Sequence, residues 1–174
     1  MPGIYPDKYI QPWNCQDGRP VTLRPIRPED KPLEKEFIDG LSAESSRYRF
    51  FNRIKKATPE MLNQFCNIDY HNEIAIIAEY NSDGKKRNVG VGRLIIEPDM
   101  ETGEFATVVS DDFQKQGLGM KLLNTLIAIG REKQLKSLYG IVLIDNWKML
   151  SLVKKLGFRA DTSSDGEVKV VLKL

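Results

Sequence analysis

Histidine is nearly absent from this 174-residue chain, which has His71 alone, and cysteine occurs twice, as Cys15 and Cys66. A single histidine argues against a His-centred metal cluster, and any serine-hydrolase triad would have to use His71 as its base. No metal is expected. The cysteines have neither metal-like spacing nor the density of a disulfide framework, so two reduced thiols are expected. A charge excess is lacking too: 26 Lys and Arg against 24 Asp and Glu leave a net charge of +2. Bulk electrostatics therefore announce no nucleic acid and no membrane as partner. The longest strictly aliphatic run, residues 74–78, is far short of the ~20 residues that span a bilayer. The opening MPGIYPDKYIQPW sets prolines where a signal peptide would carry its apolar core. A soluble, cytoplasmic protein is the expectation; oligomeric state is not legible. What is present, 41% hydrophobic and 29% charged residues, is ordinary for one globular domain of this length.

Residues 1–20, with Pro2, Pro6, Pro12 and Pro20, read as an irregular lead-in or linker, and 21–174 as the domain. Residues 21–26 look like a short strand stopped by proline. Asp30 could cap a helix whose Leu33, Phe37 and Leu41 share one face. Thr58-Pro59 starts a second helix. Strands over 73–80 and 89–97 flank the turn residues Asn81-Ser82-Asp83-Gly84, and a third strand covers 104–109. Leu118, Leu122 and Leu126 mark a long helix, and residues 138–144 a strand suited to burial on both faces. Met149, Leu152, Val153 and Leu156 make the most regular helical stripe, with Gly157 to end it. Alternating Val168, Val170, Leu172 and Leu174 close the chain as a hairpin. The fold class is α/β with a mixed sheet: about seven strands with antiparallel hairpins, and about four helices.

Chemistry concentrates first at Gln114-Lys115-Gln116-Gly117-Leu118-Gly119. A strand ends, a Gly-x-Gly follows, and a helix starts. Helix-start N–H groups lack intrahelical acceptors and the dipole there favours anions. Glycine removes the side chain that would hold a phosphate away, so the site suits a pyrophosphate; the same glycines would equally serve a plain turn. A nucleotide P-loop is excluded by the missing Gly-Lys-Ser/Thr, and a dinucleotide fingerprint by the missing third glycine.

Gln114-x-x-Gly117-x-Gly119 resembles the Gln/Arg-x-x-Gly-x-Gly/Ala motif of the GNAT superfamily of N-acetyltransferases. Asn146-x-x-Met149 followed by Leu156-Gly157-Phe158 resembles that family's Asn…Leu-Gly-Phe segment. LRPIRPED at 23–30, SSRYRFF at 45–51, NQFCNIDYHNE at 63–73 and EFATVVSDDFQKQGLG at 104–119 are similar to the acetyltransferase domain of bacterial Pat-type protein lysine acetyltransferases. The likeness covers residues 13–174. In that group the domain is often fused behind an ADP-forming acyl-CoA synthetase-like region.

The resemblance implies the GNAT fold and acetyl-CoA as cosubstrate. It implies transfer of acetyl to a protein lysine, with acyl-CoA synthetases as the substrate proteins. Val109 and Ser110 would pair their backbone with the pantetheine arm. Gln116, Gly117, Leu118, Gly119 and Met120 would offer backbone N–H groups to the pyrophosphate, with Gln114 and Lys115 beside it. Asn146 would hold the ligand near its thioester, or cap the helix it precedes. Glu104 stands where Pat-type enzymes carry their proposed catalytic glutamate. A lysine amine has a pKa of about 10.4 and arrives protonated, so a base is needed; the alternative for Glu104 is an exposed strand-end carboxylate. The Val109 N–H is the family's usual oxyanion donor. One departure stands out: where many small-molecule GNAT enzymes carry an acidic tyrosine, this chain has Val153, which favours a protein acceptor. Tyr139 and Tyr48 lie elsewhere. Arg47, Arg49, Arg53, Lys55 and Lys56 form a basic run that could meet an acidic substrate or a coenzyme A phosphate, or be a solvated face. The pairs Glu29/Asp30 and Asp111/Asp112 read as helix-start and loop acids, and His71 as structural or exposed. A small-molecule amine acetyltransferase and a non-catalytic acyl-CoA-binding regulatory domain are the other readings.

Overall fold

Alternating and 3.6-periodic apolar residues fold here into a three-layer α/β/α arrangement, seen in a computed structural model that describes residues 4–51 and 56–174. In chain order these are β1 (Gln11–Asn14), β2 (Pro20–Pro25), α1 (Lys31–Asp39), α2 (Ala43–Phe50), α3 (Pro59–Cys66), β3 (Glu73–Ser82) and β4 (Lys85–Ile96). There follow β5 (Thr102–Val109), α4 (Leu118–Glu132), β6 (Ser137–Leu143), α5 (Trp147–Lys155), β7 (Arg159–Ser164) and β8 (Glu167–Lys173). One sheet holds all eight strands in the order β1-β2-β3-β4-β5-β6-β8-β7, with β5–β6 parallel and the other neighbours antiparallel. The mixed α/β class is as expected, with one strand and one helix more than the sequence suggested.

The added strand corrects the reading of residues 1–20 as irregular: Gln11–Asn14 pairs with β2, from Gln11↔Leu23 to Asn14↔Pro20. The added helix is α2, whose sequence AESSRYRF carries no apolar stripe. Its start is fixed by Ser42, which accepts from the Ser45 N–H, and its end by left-handed Phe51 (φ 63°). Asp30 does not cap α1. Its carboxylate instead accepts from both terminal nitrogens of Arg24, at 2.8 and 2.7 Å, and from the Arg27 N–H at 2.7 Å. The β3–β4 hairpin is as read, with Asp83 and Gly84 both at positive φ in its turn.

Two apolar cores flank the sheet. Leu118, Leu122 and Leu126 of α4 pack with Phe105, Leu138 and Val153 on one face. Ile26, Phe37 and Cys66 pack with Ala75, Ile77 and Val91 on the other, under α1 and α3. Strand β6 departs from expectation. Leu138, Gly140 and Val142 are buried, with Leu138 and Val142 in the core under α4, but Tyr139, Ile141 and Leu143 on the opposite face are half-exposed.

Candidate active site

Register places the opening. β5 and β6 pair only from Thr102↔Ser137 to Glu104↔Tyr139, whereas β5 stays paired with β4 as far as Val109↔Gly90. Beyond Glu104 the two parallel strands part, and a cleft of about 500 Å³ opens between them. The ring of Phe105 lies against Gly140, where an added Cβ would come within 2.4 Å of it. Ser110 donates its N–H to Val89 at 2.9 Å. Antiparallel alternation from that bond turns the N–H groups of Thr107 and Val109 toward the parted side. The cleft wall therefore carries main-chain groups suited to an extended, peptide-like ligand. It also carries the Thr107 hydroxyl, buried without a hydrogen-bond partner among the described residues. Thr107 escaped sequence reasoning, which has no signal for an orphaned hydroxyl.

At one end lies the glycine loop. Lys115 (φ 63°) and Gly117 (φ 83°) are both left-handed, a bracketing that turns successive N–H groups toward a common point. Gly117 is the N-cap of α4 and brings no side chain to it, so the first-turn N–H groups face outward unfilled. Trp13 and Gln16 buttress Gly117 from the N-terminal segment, the Gln16 amide nitrogen lying 3.3 Å from where a Cβ would sit. Gln116 is tied to that segment, accepting from Gln16 N–H at its main-chain oxygen and from Asp17 N–H at its side chain. Gln114 donates to the Val109 carbonyl at 3.0 Å and to the Ser45 hydroxyl at 3.1 Å. Leu118 is buried in the core, and the Ser110 hydroxyl donates to Asp112 and accepts from Arg87.

At the other end lies Glu104, half-buried on the cleft wall. Burial, and then the like charge of Glu97, push its carboxyl above the usual carboxylate range, with Arg49 opposing them. Arg93, which also lines the cleft, is held by Glu34 and Glu73 at 3.3 Å each and by the Phe65 carbonyl at 2.9 Å. Arg49, from the last turn of α2, also lines the cleft, its guanidinium 4.8 Å from the Phe50 ring. Of the basic run, Arg47 pairs with Asp145 at 3.0 Å and Lys56 is exposed; Arg53 and Lys55 lie outside the described residues.

The cleft thus joins Glu104, Val109, Gln114, Lys115, Gly119 and Asn146, residues spread over 43 positions of sequence, from 104 to 146. Asn146 accepts from the Met149 N–H at 3.3 Å and so caps α5. Tyr48 lines the cleft with its hydroxyl 3.3 Å from the Asp145 carbonyl, whereas the Tyr139 hydroxyl donates to Glu97. Val153 is core. The loop acids are structural ties: Asp111 accepts from Ser42 N–H and the Ser45 hydroxyl, and Asp112 pairs with Arg87 at 2.9 Å. Exposed His71 donates its N–H to Asp69. Both thiols are buried and free, and burial pushes Cys66 up to about 12. Among the described residues no group of His, Cys, Asp and Glu could hold a metal ion, and no helix is long and apolar enough to cross a membrane.

A mixed sheet that parts beside a glycine-capped helix start defines a site for an extended ligand with an anionic end. Residues 39–158 match the Acetyltransferase (GNAT) family, and the chain belongs to that family of acetyl-CoA-dependent N-acetyltransferases. An acetyltransferase of Pseudomonas aeruginosa is 34% identical over 161 residues, 92% of this chain and 87% of that protein. The Mycolicibacterium smegmatis acetyltransferase Pat is 26% identical over 148 residues, 84% of this chain; the chain spans 43% of that longer protein. Among solved structures, the GNAT domain of S. lividans PAT superposes with a TM-score of 0.89 at 24% identity, covering 98% of this chain and 100% of that one. That likeness is one of fold.

Proposed function

We propose that the chain transfers an acetyl group from acetyl-CoA to the side-chain amine of a protein lysine, with Glu104 as general base. One observation carries the reading. A single cleft runs from the unfilled N–H groups at the start of α4, along the parted edge of β5, to the Glu104 carboxylate. The residues present fit the cosubstrate. Backbone N–H groups from Gln116 to Met120 receive the pyrophosphate, Gln114 and Lys115 stand beside it, and Val109 lies along the pantetheine arm, whereas the Ser110 N–H is taken by Val89 on the far side of the strand. Gln114 and Asn146 serve from behind: their side chains hold Val109 and the α5 start in place.

Glu104 takes the proton of the arriving ammonium, directly or through water, and the free amine attacks the thioester carbonyl carbon. Its raised pKa brings it nearer the working range, and a positioned base contributes roughly 10²–10⁴ in rate. The Val109 N–H, turned into the cleft, steadies the oxyanion that forms on attack. Its collapse breaks the carbon–sulfur bond, coenzyme A leaves as the thiolate, and the proton shed by the new amide nitrogen passes to that thiolate through water. No thiol of the chain lines the cleft, which supports direct transfer without a covalent enzyme intermediate. Similarity to Pat supports acyl-CoA synthetases as substrate proteins.

The test is thiol release with protein, polyamine and amino-acid acceptors, joined to mass spectrometry of acetylated lysines on candidate synthetases. Lysine acetylation that is lost in Glu104→Gln, with acetyl-CoA affinity retained, is expected. Turnover with polyamine alone would make it a small-molecule enzyme. Tight acetyl-CoA binding with no acceptor would make it a regulatory binding domain.

A further inference from the structure

Arg93 and Arg49 line the cleft, and Arg47 stands two residues before Arg49 on α2; Arg93 and Arg47 are engaged. Arg93 is held by two carboxylates and a carbonyl, and Arg47 by Asp145. Arg49 is different. It lines the cleft from the last turn of α2, and among the described residues it has no carboxylate within ion-pair distance and no hydrogen bond. Its guanidinium lies 4.8 Å from the Phe50 ring and 6.0 Å from the Phe65 ring. A guanidinium can hold such ring contacts and still donate from its N–H groups. Carboxylates act on this cation from a distance, but among the described residues none is bonded to it, so its N–H groups remain available to a ligand in the cleft.

Resting on the acetyl-transfer reading, we propose that Arg49 is a specificity-determining residue. It receives a carboxylate carried by the acceptor beside the reacting amine, so that the preferred acceptor lysine has an aspartate or glutamate as its neighbour. Three arguments select that chemistry. First, the fork geometry of a guanidinium matches a carboxylate in two parallel hydrogen bonds. Second, Glu34, Glu73 and Glu104 already act on Arg49 electrostatically. A doubly charged phosphate entering among three carboxylates meets more repulsion than a singly charged carboxylate does. Third, a lysine ammonium approaching Glu104 also approaches the Arg49 cation. A carboxylate travelling with the lysine cancels that repulsion, and a neutral neighbour does not. Burial, and then the like charge of Arg93, lower Arg49 to about 10, with Glu34, Glu104 and Glu73 opposing them.

The experiment uses two peptides that differ in one residue beside a single lysine, glutamate in one and glutamine in the other. With acetyl-CoA and the wild-type chain, kcat/KM for the glutamate peptide should be higher by about tenfold, as for a charge-assisted hydrogen-bonded contact. In Arg49→Gln the ratio should fall toward one, and in Arg49→Lys it should lie between. Calorimetric binding of each peptide to the CoA-saturated wild-type protein reads the same preference without turnover. If neither peptide is acetylated but the binding preference stands, the transfer reading fails and this subsite survives. A wild-type ratio near one in both assays would overturn the subsite, as would a ratio unchanged in Arg49→Gln. A third arm compares succinyl-CoA with acetyl-CoA on the glutamine peptide. An Arg49-dependent preference for succinyl-CoA would place the carboxylate on the acyl group and also overturn the proposal.

Discussion

The side-chain amide of Gln114 spans from the Val109 carbonyl, 3.0 Å away, to the Ser45 hydroxyl at 3.1 Å. Ser45 passes the link to Asp111, which also accepts from the Ser42 N–H. One side chain thus ties the end of β5, the start of α2 and the loop before α4. Gln114→Ala removes both bonds and leaves a part-buried carbonyl without its donor, a loss of about 1–3 kcal/mol. For a chain of this size the melting temperature should fall by about 2–4 °C per kcal/mol. Acetyl-CoA affinity, read by calorimetry, should weaken several-fold, because the loop and strand edge lose their mutual register. Unchanged affinity would show that Gln114 is a fold residue alone.

The pH dependence follows from Glu104. A base must be ionised, so kcat/KM should fall as pH drops through its pKa. Burial and Glu97 raise that pKa, so the acidic limb should lie above the usual carboxylate value of about 4.3. Glu97→Gln keeps an oxygen for the Tyr139 hydroxyl but removes the like charge, and should move the limb to lower pH. Stability has the opposite sense. With the folded pKa above the unfolded one, the folded state binds the proton more tightly, and stability is lost as pH rises through that window. Glu104→Gln should therefore be at least as resistant to urea as wild type at pH 7, with the difference shrinking toward acid. A profile without the shifted limb in Glu97→Gln would remove Glu104 from the role of base.

Much of this arrangement was legible because it is written locally. The Leu118, Leu122 and Leu126 stripe, the Asp83-Gly84 turn and the Gly117 cap each depend on neighbours within a few residues. What escaped depends on distant ones. β1 is a four-residue edge strand with half its positions exposed, and its pairing comes from β2. α2 has no apolar stripe, and its first turn is fastened by Asp111, 66 residues from Ser45. Arg49 read as one member of a basic run; its difference from Arg47 and Arg93 exists only once the carboxylates are in place. The parting of β5 from β6 is invisible in either strand alone, as each has an ordinary strand composition.

The buried network at the start of α1 yields a stability prediction remote from chemistry. Arg24 and Asp30 side chains are 7% and 4% exposed, and Arg24 also reaches Glu79 at 2.7 Å. Removing one member of such a set strands the others in a poorly solvated place. Asp30→Asn should cost about 3 kcal/mol, seen as a lower urea midpoint with an unchanged slope. Arg24→Met should cost a similar amount, since it leaves Asp30 with the Arg27 N–H alone among its present donors.

Gly140 offers the sharpest test of packing at the point where the cleft begins. A Cβ there would sit 2.4 Å from the Phe105 ring, far inside van der Waals contact, and Phe105 is itself held edge-on against Phe158 with centroids 5.2 Å apart. The ring cannot retreat without disturbing the core under α4. Gly140→Ala should therefore cost about 1–3 kcal/mol through overpacking. Because residues 105 and 140 are the first positions past the last β5–β6 pair, the strain should also reach the cleft, weakening acetyl-CoA binding. Phe105→Leu makes room for the added methyl. The double variant should recover part of both losses, with a coupling energy of about 0.5–3 kcal/mol in a double-mutant cycle. Strictly additive effects on stability would mean that the Phe105 ring and residue 140 do not press on one another.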